Sequence, residues 1–334
     1  MEHYIGIDAH CEYCDIAVVD ERGRLVSHRS VRTSARNLIQ AVREVKDRRI
    51  VVIEESTLAG WIQRTLLPYA DHIAIVDPRR NALIWRSEDK SDRNDCHRLA
   101  LLHRGGYTHV IHHSLDAGFL ELKEMVLHYH DTVNQVTRFK NKLKAVYRKH
   151  GFLQMPEAVY DPVRGLECIK QLPFPSSRHR ARWMLSMITR AEKMKRTAHN
   201  KIRRMSARYP AIEMFLAVPG VGPIVSATVV ATVETPHRFP TKETLWKYAA
   251  LAVATPESGG KAQGRHASKE GNKLLKKVLM LAAHNAAHGD HRFGRAFRRH
   301  RRKSLSHAQR TVARMILSTM YGMWKTGERY RETA

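Results

Sequence analysis

His3-Tyr4-Ile5-Gly6-Ile7-Asp8 opens the chain with an apolar run that ends on a carboxylate. A second run, Ile50-Val51-Val52-Ile53, ends the same way on Glu54, and Asp92-Arg93-Asn94-Asp95 begins a helical segment further on. Short apolar runs bounded by polar residues read as strands. Two strand-end acids and a helix with acids at i and i+3 can gather four carboxylates if the strands are neighbours. Like charges held that close destabilise one another unless a cation offsets them, so convergence implies Mg²⁺ or Mn²⁺. Such an ion polarises a phosphate and helps generate the attacking oxygen. The competing reading leaves all four as solvated surface acids. Glu55 competes with Glu54, because strand alternation sends the two to opposite faces.

The surrounding sequence supplies the frame. Residues 3–10, 13–20 and 25–32 read as strands, with Glu21-Arg22-Gly23 as a turn. A helix over 34–47 opened by Ser34, strand 50–54, helix 60–69, strand 72–77, a short helix after Pro78 and the helix from Asp92 follow. Three adjacent strands and then alternation predict an α/β domain with a mixed sheet over residues 1–112, the order of an RNase H-like (RuvC-like) fold. Strand signals stop between about 115 and 210. Leu120, Leu122, Val126, Leu127, Val133 and Val136, then Trp183, Met184, Met187 and Ile188, mark two long antiparallel helices joined by Gly151–Pro175. This reads as a coiled-coil arm over 113–212 that could dimerise. Residues 213–334 read as all-α. A helix-hairpin-helix around Pro219-Gly220-Val221-Gly222-Pro223 leads to helices 224–233 and 241–252, then a loop over 255–271. A helix over 273–287 capped by Asn272, a basic tract and a final amphipathic helix complete it.

Charge is divided unevenly. The chain carries a net +26, yet residues 1–112 hold 17 Lys and Arg against 16 Asp and Glu, and the remainder holds 41 against 16. A near-neutral domain joined to a strongly basic one points to a polyanion, nucleic acid first. Four cysteines imply no disulfide framework and fit a reducing compartment. Cys11 and Cys14 form a C-x-x-C without a second pair, so ordinary strand cysteines explain them better than zinc. Acids interrupt the N-terminal apolar region, which excludes a signal peptide reading. Met214 to Val233 has span length without charge, but the Pro-Gly-Val-Gly-Pro break favours a buried helical hairpin over a membrane span.

Several basic residues are candidates for phosphate contact. Gly220 and Gly222 could aim backbone N–H groups at a phosphate, or simply form a tight buried turn. Ser258, in Thr255-Pro256-Glu257-Ser258-Gly259-Gly260-Lys261, is by composition a plain turn residue. Lys261, Arg265 and Lys269 could nonetheless hold a phosphate beside its hydroxyl, which would need a base or metal to act as a nucleophile. The Gly259–Gly264 spacing imitates a phosphate-binding loop, but Arg265-His266 replaces Lys-Ser/Thr and no strand precedes it. The tract from Arg292 to Lys303 interleaves Phe293 and Phe297 with Arg295, Arg298, Arg299, Arg301 and Arg302, which suits phosphate contact plus stacking.

Taken together, these segments resemble the transposases of the insertion sequence one-ten family, related to Piv-type DNA invertases. The Gly-Ile-Asp opening, the Glu54 strand end and Lys90-Ser91-Asp92-Arg93-Asn94-Asp95 resemble the family's RuvC-like domain with its Asp-Glu-Asp-Asp tetrad. Val218 to Pro223, Arg238-Phe239, Glu257 to Lys261 and Gly271-Asn272 resemble its second transposase domain. The resemblance implies a recombinase with Asp8, Glu54, Asp92 and Asp95 as metal-binding tetrad and Ser258 as nucleophile, forming a phosphoserine–DNA ester. It implies double-stranded DNA partners at element ends and target, a structured guide RNA, and a homodimer or homotetramer. It also implies action on the nucleoid of a prokaryotic cytoplasm and no membrane. Glu-Ser-Thr-Leu-Ala-Gly after Ile53-Glu54 departs from the usual Ala-Thr-Gly pattern, which leaves Glu54 against Glu55 open. A Holliday-junction-resolvase-like nuclease with an idle serine, or an architectural nucleic-acid-binding protein, are the alternatives.

Overall fold

The computed structural model describes the backbone of residues 1–78, 92–254, 257–258, 261–262, 266–267 and 270–332; the side chains of 92–94 and of 254–269 lie outside it. The chain divides into two compact units, Met1–Leu115 and Asp116–Ala334.

In the first unit the apolar runs become strands because each can bury both faces. β1 (Glu2–Ala9), β2 (Tyr13–Asp20) and β3 (Leu25–Arg32) form an antiparallel meander. β4 (Arg48–Glu54) pairs in parallel with β1, and β5 (His72–Val76) in parallel with β4. A short β6 (Val110–Ile111) closes the sheet antiparallel to β5, giving the order β3-β2-β1-β4-β5-β6. The mixed sheet is the one expected; β6 was not, because two residues carry no readable alternation. Helix α1 (Ala35–Arg43) starts at Ser34, whose Oγ accepts from the Asn37 amide at 3.2 Å. It ends earlier than expected, and Asp47 takes a left-handed φ of 64° before β4. α1 and α2 (Ala59–Leu66) cover one sheet face, where Ile5, Ile7, Val51, Ile53 and Ile75 form the core with Leu38, Ile62 and Leu66. α3 (Asp92–Arg104) covers the other, with Leu99 packed on Val52, Ala74 and Val76. The short helix expected after Pro78 lies outside the described residues.

The second unit begins with α4 (Ala117–Lys149), whose first turn is capped by Asp116. It runs antiparallel to α6 (Pro175–Ser206): Leu143 and Tyr147 pack with Ala181, Met184 and Leu185 at one end, and Tyr129 meets His199 towards the other. Between them α5 (Arg164–Lys170) seals the far end through Ile169, an element that the sequence left as a connection. Leu122, Val126 and Ile202, at the near end, join a core built by α7 (Pro210–Phe215), α8 (Pro223–Val233), α9 (Lys242–Tyr248) and α10 (Lys273–Asn285). α11 (Arg292–Arg301) and α12 (Leu305–Thr326) complete it. All of α8 from Val225 to Val233 is buried, so the uncharged stretch is explained by this core. Among the described residues no helix is long and apolar enough to cross a membrane.

Two expectations need correction. The C-terminal part is not all-α: β7 (Val253–Ala254) pairs with β10 (His266–Ala267), and β8 (Glu257–Ser258) with β9 (Lys261–Ala262). Strands of two residues give no periodic signal, so their sequence reads as loop. The basic tract is itself helix α11, with Phe293 0 % and Phe297 5 % exposed. Those rings belong to the core, and stacking on nucleic acid is not their work; burying each contributes about 1.5–3 kcal/mol.

One buried polar group has a measurable consequence. His130 on α4 is 7 % exposed, with Nε2 3.1 Å from Thr228 Oγ1 on α8. Burial, and then the charge of Lys277, holds its pKa down at about 4. The unfolded imidazole takes up its proton near pH 6.5, so stability conferred by the neutral form falls as pH drops below that value. Between pH 6.5 and 5 the loss should be about 2 kcal/mol. Urea titrations across that range should show His130→Gln with a flatter pH dependence; an identical slope would contradict this assignment.

Candidate active site

Parallel pairing of β1 with β4 aligns Ile7 with Ile53, so the next residues, Asp8 and Glu54, stand side by side at the carboxyl ends of neighbouring strands. Alternation turns Ile7 and Ile53 into the α1/α2 core, and Gly6, Asp8, Val52 and Glu54 towards α3. Gly6 sets the depth of that helix. A Cβ at this position would lie 2.0 Å from Cys96 O and 3.0 Å from Ala100 N, so only glycine admits the α3 backbone. Further along, Tyr4 meets His103 at 6.3 Å, and a Cβ on Gly23 would be 3.2 Å from an Arg104 nitrogen. α3 therefore runs antiparallel to β1 and brings its first turn, with Asp95, to the Asp8 end. Asp92 begins the same helix, three residues before Asp95, and its side chain is outside the described residues.

Gly6→Ala is expected to destabilise the protein by about 3 kcal/mol or more, since backbone rather than a flexible side chain must move. A denaturant midpoint equal to that of the wild type would show that the helix does not depend on this close approach.

The geometry separates Glu54 from Glu55. Glu55 donates its amide to Val76 O at 2.9 Å, and its carboxylate, half exposed, lies 3.8 Å from His113 Nε2. Glu54 keeps the Asp8 face. His10 Nε2 is 3.3 Å from Asp8 Oδ2. Asp95 Oδ1 is buried and has no hydrogen-bond partner among the described residues. A buried carboxylate oxygen without a partner is costly unless a cation satisfies it. The donor set is all carboxylate oxygen, which suits Mg²⁺ or Mn²⁺ over softer ions. The residues thus fit a divalent metal, although among the described residues no three His, Cys, Asp or Glu are grouped closely enough to enclose one.

Sequence reasoning missed Asp15 and, beside it, His28. Asp15 is the direct cross-strand partner of Asp8, and His28 Nε2 lies 3.6 Å from Asp15 Oδ1. The signal was present: in a tight hairpin between strands 3–10 and 13–20, residues whose numbers sum to a constant pair, and 8 pairs with 15. His97, next on α3, is held below its ordinary pKa by burial, then by the charges of His28 and Arg98. The Cys96 thiol is pushed up to about 12 by burial and by Asp15 and Asp8, which makes it a neutral filler. Cys14 on β2 is buried with Sγ 3.2 Å from Thr33 Oγ1, while Cys11 is exposed in the connection between β1 and β2.

The backbone of Ser258 ends β8, and its register partner is Lys261 across the Gly259-Gly260 connection. The side chains of Ser258 and Lys261, and Arg265 and Lys269 altogether, lie outside the described residues. The pieces around them have structural reasons. Gly271, at φ 112°, fits where a Cβ would meet Lys247 O at 2.6 Å, and Asn272 Oδ1 caps α10 by accepting from Leu275 N at 2.9 Å. Arg238 donates to Thr232 O and Val233 O, closing the carboxyl end of α8.

Gly220 has φ 84°, and a Cβ there would be 2.3 Å from Ala282 O, so packing on α10 alone demands glycine. Gly222 precedes Pro223 at the start of α8 with open space around it. Arg295 pairs with Glu332 and Arg298 with Asp290, whereas Arg299, Arg301 and Arg302 are exposed.

Comparison with known proteins matches each half. A family model for DEDD transposases of IS110, described as Transposase, matches residues 5–150. A second, described as Transposase IS116/IS110/IS902 family, matches residues 212–299. The insertion element IS110 uncharacterized 43.6 kDa protein of Streptomyces coelicolor is 29% identical over 149 residues, 44% of this chain. The match spans 37% of that relative's length.

Proposed function

The chain belongs to the IS110 family of transposases, and we propose that it cuts and rejoins DNA through both halves of the molecule. The observation that carries this reading is the placement of Asp8 beside Glu54 under the helix that bears Asp95. Asp8, Glu54, Asp92 and Asp95 would hold Mg²⁺ or Mn²⁺, which when bound polarises a phosphate oxygen. The chain's own carboxylates bind and orient; His10, against Asp8, fixes the direction of one of them.

In the second unit Ser258 is the proposed nucleophile. Its Oγ bonds to phosphorus, the strand's P–O bond breaks, the serine proton passes to a base and the leaving oxygen gains a proton. Rejoining reverses the step on another strand end. Lys261, Arg265 and Lys269 would hold the phosphate, and Gly222, Arg299, Arg301 and Arg302 would contact backbone further out. Arg295, Arg298 and Gly220 are less suited, given their partners and packing. Excision and insertion of an element, a structured guide RNA, supercoiling of the α4–α6 pair and assembly as a dimer or tetramer complete the proposal.

A second reading is favoured by the DEDD model itself: the acids direct water and Ser258 is idle. Labelled duplex spanning an element end, incubated with Mg²⁺ or with chelator, tests both. Metal-dependent cleavage supports either reading, a protein-linked product supports the serine route, and an intact duplex under all conditions overturns both.

A further inference from the structure

α9, α11 and α12 line an open cavity of about 560 Å³ that no part of the proposed chemistry uses. Lys242, Arg292 and Arg314 line it together with Trp246, and no described lining residue is acidic. α11 and α12 contain no Asp or Glu; Arg295 and Arg298 pair with Glu332 and Asp290 outside those helices, and Lys242 lies 4.0 Å from Glu243. Arg314 is half-buried, and burial followed by the charge of Arg310 lowers its pKa. Arg310, one turn back, has a buried Nε without a hydrogen-bond partner among the described residues. Cations collected in a shared concavity repel one another, and an entering anion relieves that repulsion.

Trp246 gives the cavity a second chemistry. Its Nε1 donates to Ser318 Oγ at 3.0 Å, and that hydroxyl donates to Arg314 O at 2.7 Å, which fixes the indole plane. Arg314 and Lys242 lie 5.8 and 6.0 Å from the ring centre. The guanidinium of Arg292 hydrogen-bonds Thr319 on the same wall. A duplex backbone needs only the cations. A fixed aromatic plane beside cations is the pairing that holds an unpaired nucleotide, phosphate on the charges and base on the ring.

We propose that this cavity binds a nucleotide of an unpaired nucleic-acid strand, with Lys242 and Arg314 on its phosphate and Trp246 under its base. The site rests on the reading of the chain as a DNA-processing protein, and none of its residues is one of the four carboxylates or Ser258.

The test uses the full-length protein and fluorescein-labelled 12-mers: single-stranded DNA, the same sequence in RNA, and blunt duplex DNA. Lys242→Gln combined with Arg314→Gln should weaken single-strand binding about tenfold or more and make the log–log salt slope shallower by about 0.7, the share of the one phosphate they hold. Trp246→Leu should weaken it about tenfold with the slope unchanged, and Trp246→Phe should restore most of the loss. Duplex affinity should change less than about threefold. The DNA and RNA arms show which strand the site takes. Wild-type protein irradiated with an iodouracil-substituted 12-mer should cross-link at Trp246, a readout that needs no variant to fold. Unchanged single-strand affinity in folded variants, an equal loss on duplex, or cross-links that exclude the Trp246 peptide would overturn the proposal. Cleavage still lost in Asp8→Asn in that event would leave the carboxylate reading standing.

Discussion

Asp8→Asn should lower metal-dependent DNA cleavage by about a thousandfold while leaving the protein folded. The substitution keeps size and hydrogen-bonding capacity but removes one of the charges at the strand ends. If the metal's electrostatic help is lost, several kcal/mol of transition-state stabilisation go with it; about 4 kcal/mol corresponds to about a thousandfold. Folding should survive because Asp8 lies at the sheet's carboxyl edge, while Ile5 and Ile7 do the packing. Glu54→Gln should behave the same way. Glu55→Gln should stay within about threefold of wild type, since its carboxylate faces His113 at the surface, where ion pairs contribute little. A cleavage rate in Asp8→Asn near that of wild type would remove the carboxylates from the chemistry.

Ser258→Ala should abolish any covalent protein–DNA product and all strand rejoining. The loss is complete, because alanine has no atom that can bond to phosphorus. Binding should remain within about threefold, since a neutral hydroxyl adds little to an interface driven by release of counterions from phosphates. Denaturing electrophoresis with end-labelled DNA, followed by peptide mapping, reads this directly. An adduct that persists in Ser258→Ala, or that maps to Ser268, would assign the role elsewhere. Free cleaved ends in wild type without any adduct would favour hydrolysis directed by the acids alone.

The first unit was largely legible in the sequence because its signals are local and redundant. Ile50 to Ile53 can bury both faces only inside a sheet, and Ser34 caps α1 as its position suggests. The strand-end acids Asp8 and Glu54 and the helix bearing Asp95 follow from apolar runs, whereas Asp15, set opposite Asp8 by the β1–β2 hairpin, ends no such run. Gly6 looked like part of a motif and proves to be a packing requirement of α3. In the second unit the long helices were plain from their stripes. The strands around Ser258 were not, because two-residue pairings follow from tertiary contacts rather than periodicity. The Arg292–Arg302 tract misled for a physical reason. An amphipathic helix with Phe on one face and Arg on the other has the same composition as a stacking surface, and only burial tells them apart. The Trp246 cavity draws on residues 242, 246, 292 and 314, too far apart in sequence to register as a motif.

On the proposed reading Asp8, Glu54, Asp92 and Asp95 act as one divalent-metal site for strand cleavage. Mn²⁺ binding to the full-length protein, followed by electron paramagnetic resonance of free and bound ion, tests it most directly when paired with cleavage of the same samples. The prediction is that wild type removes Mn²⁺ from the free signal in step with the onset of cleavage, and that Asp8→Asn and Asp95→Asn lose both together. Equal Mn²⁺ binding and equal cleavage in wild type and both variants would contradict it.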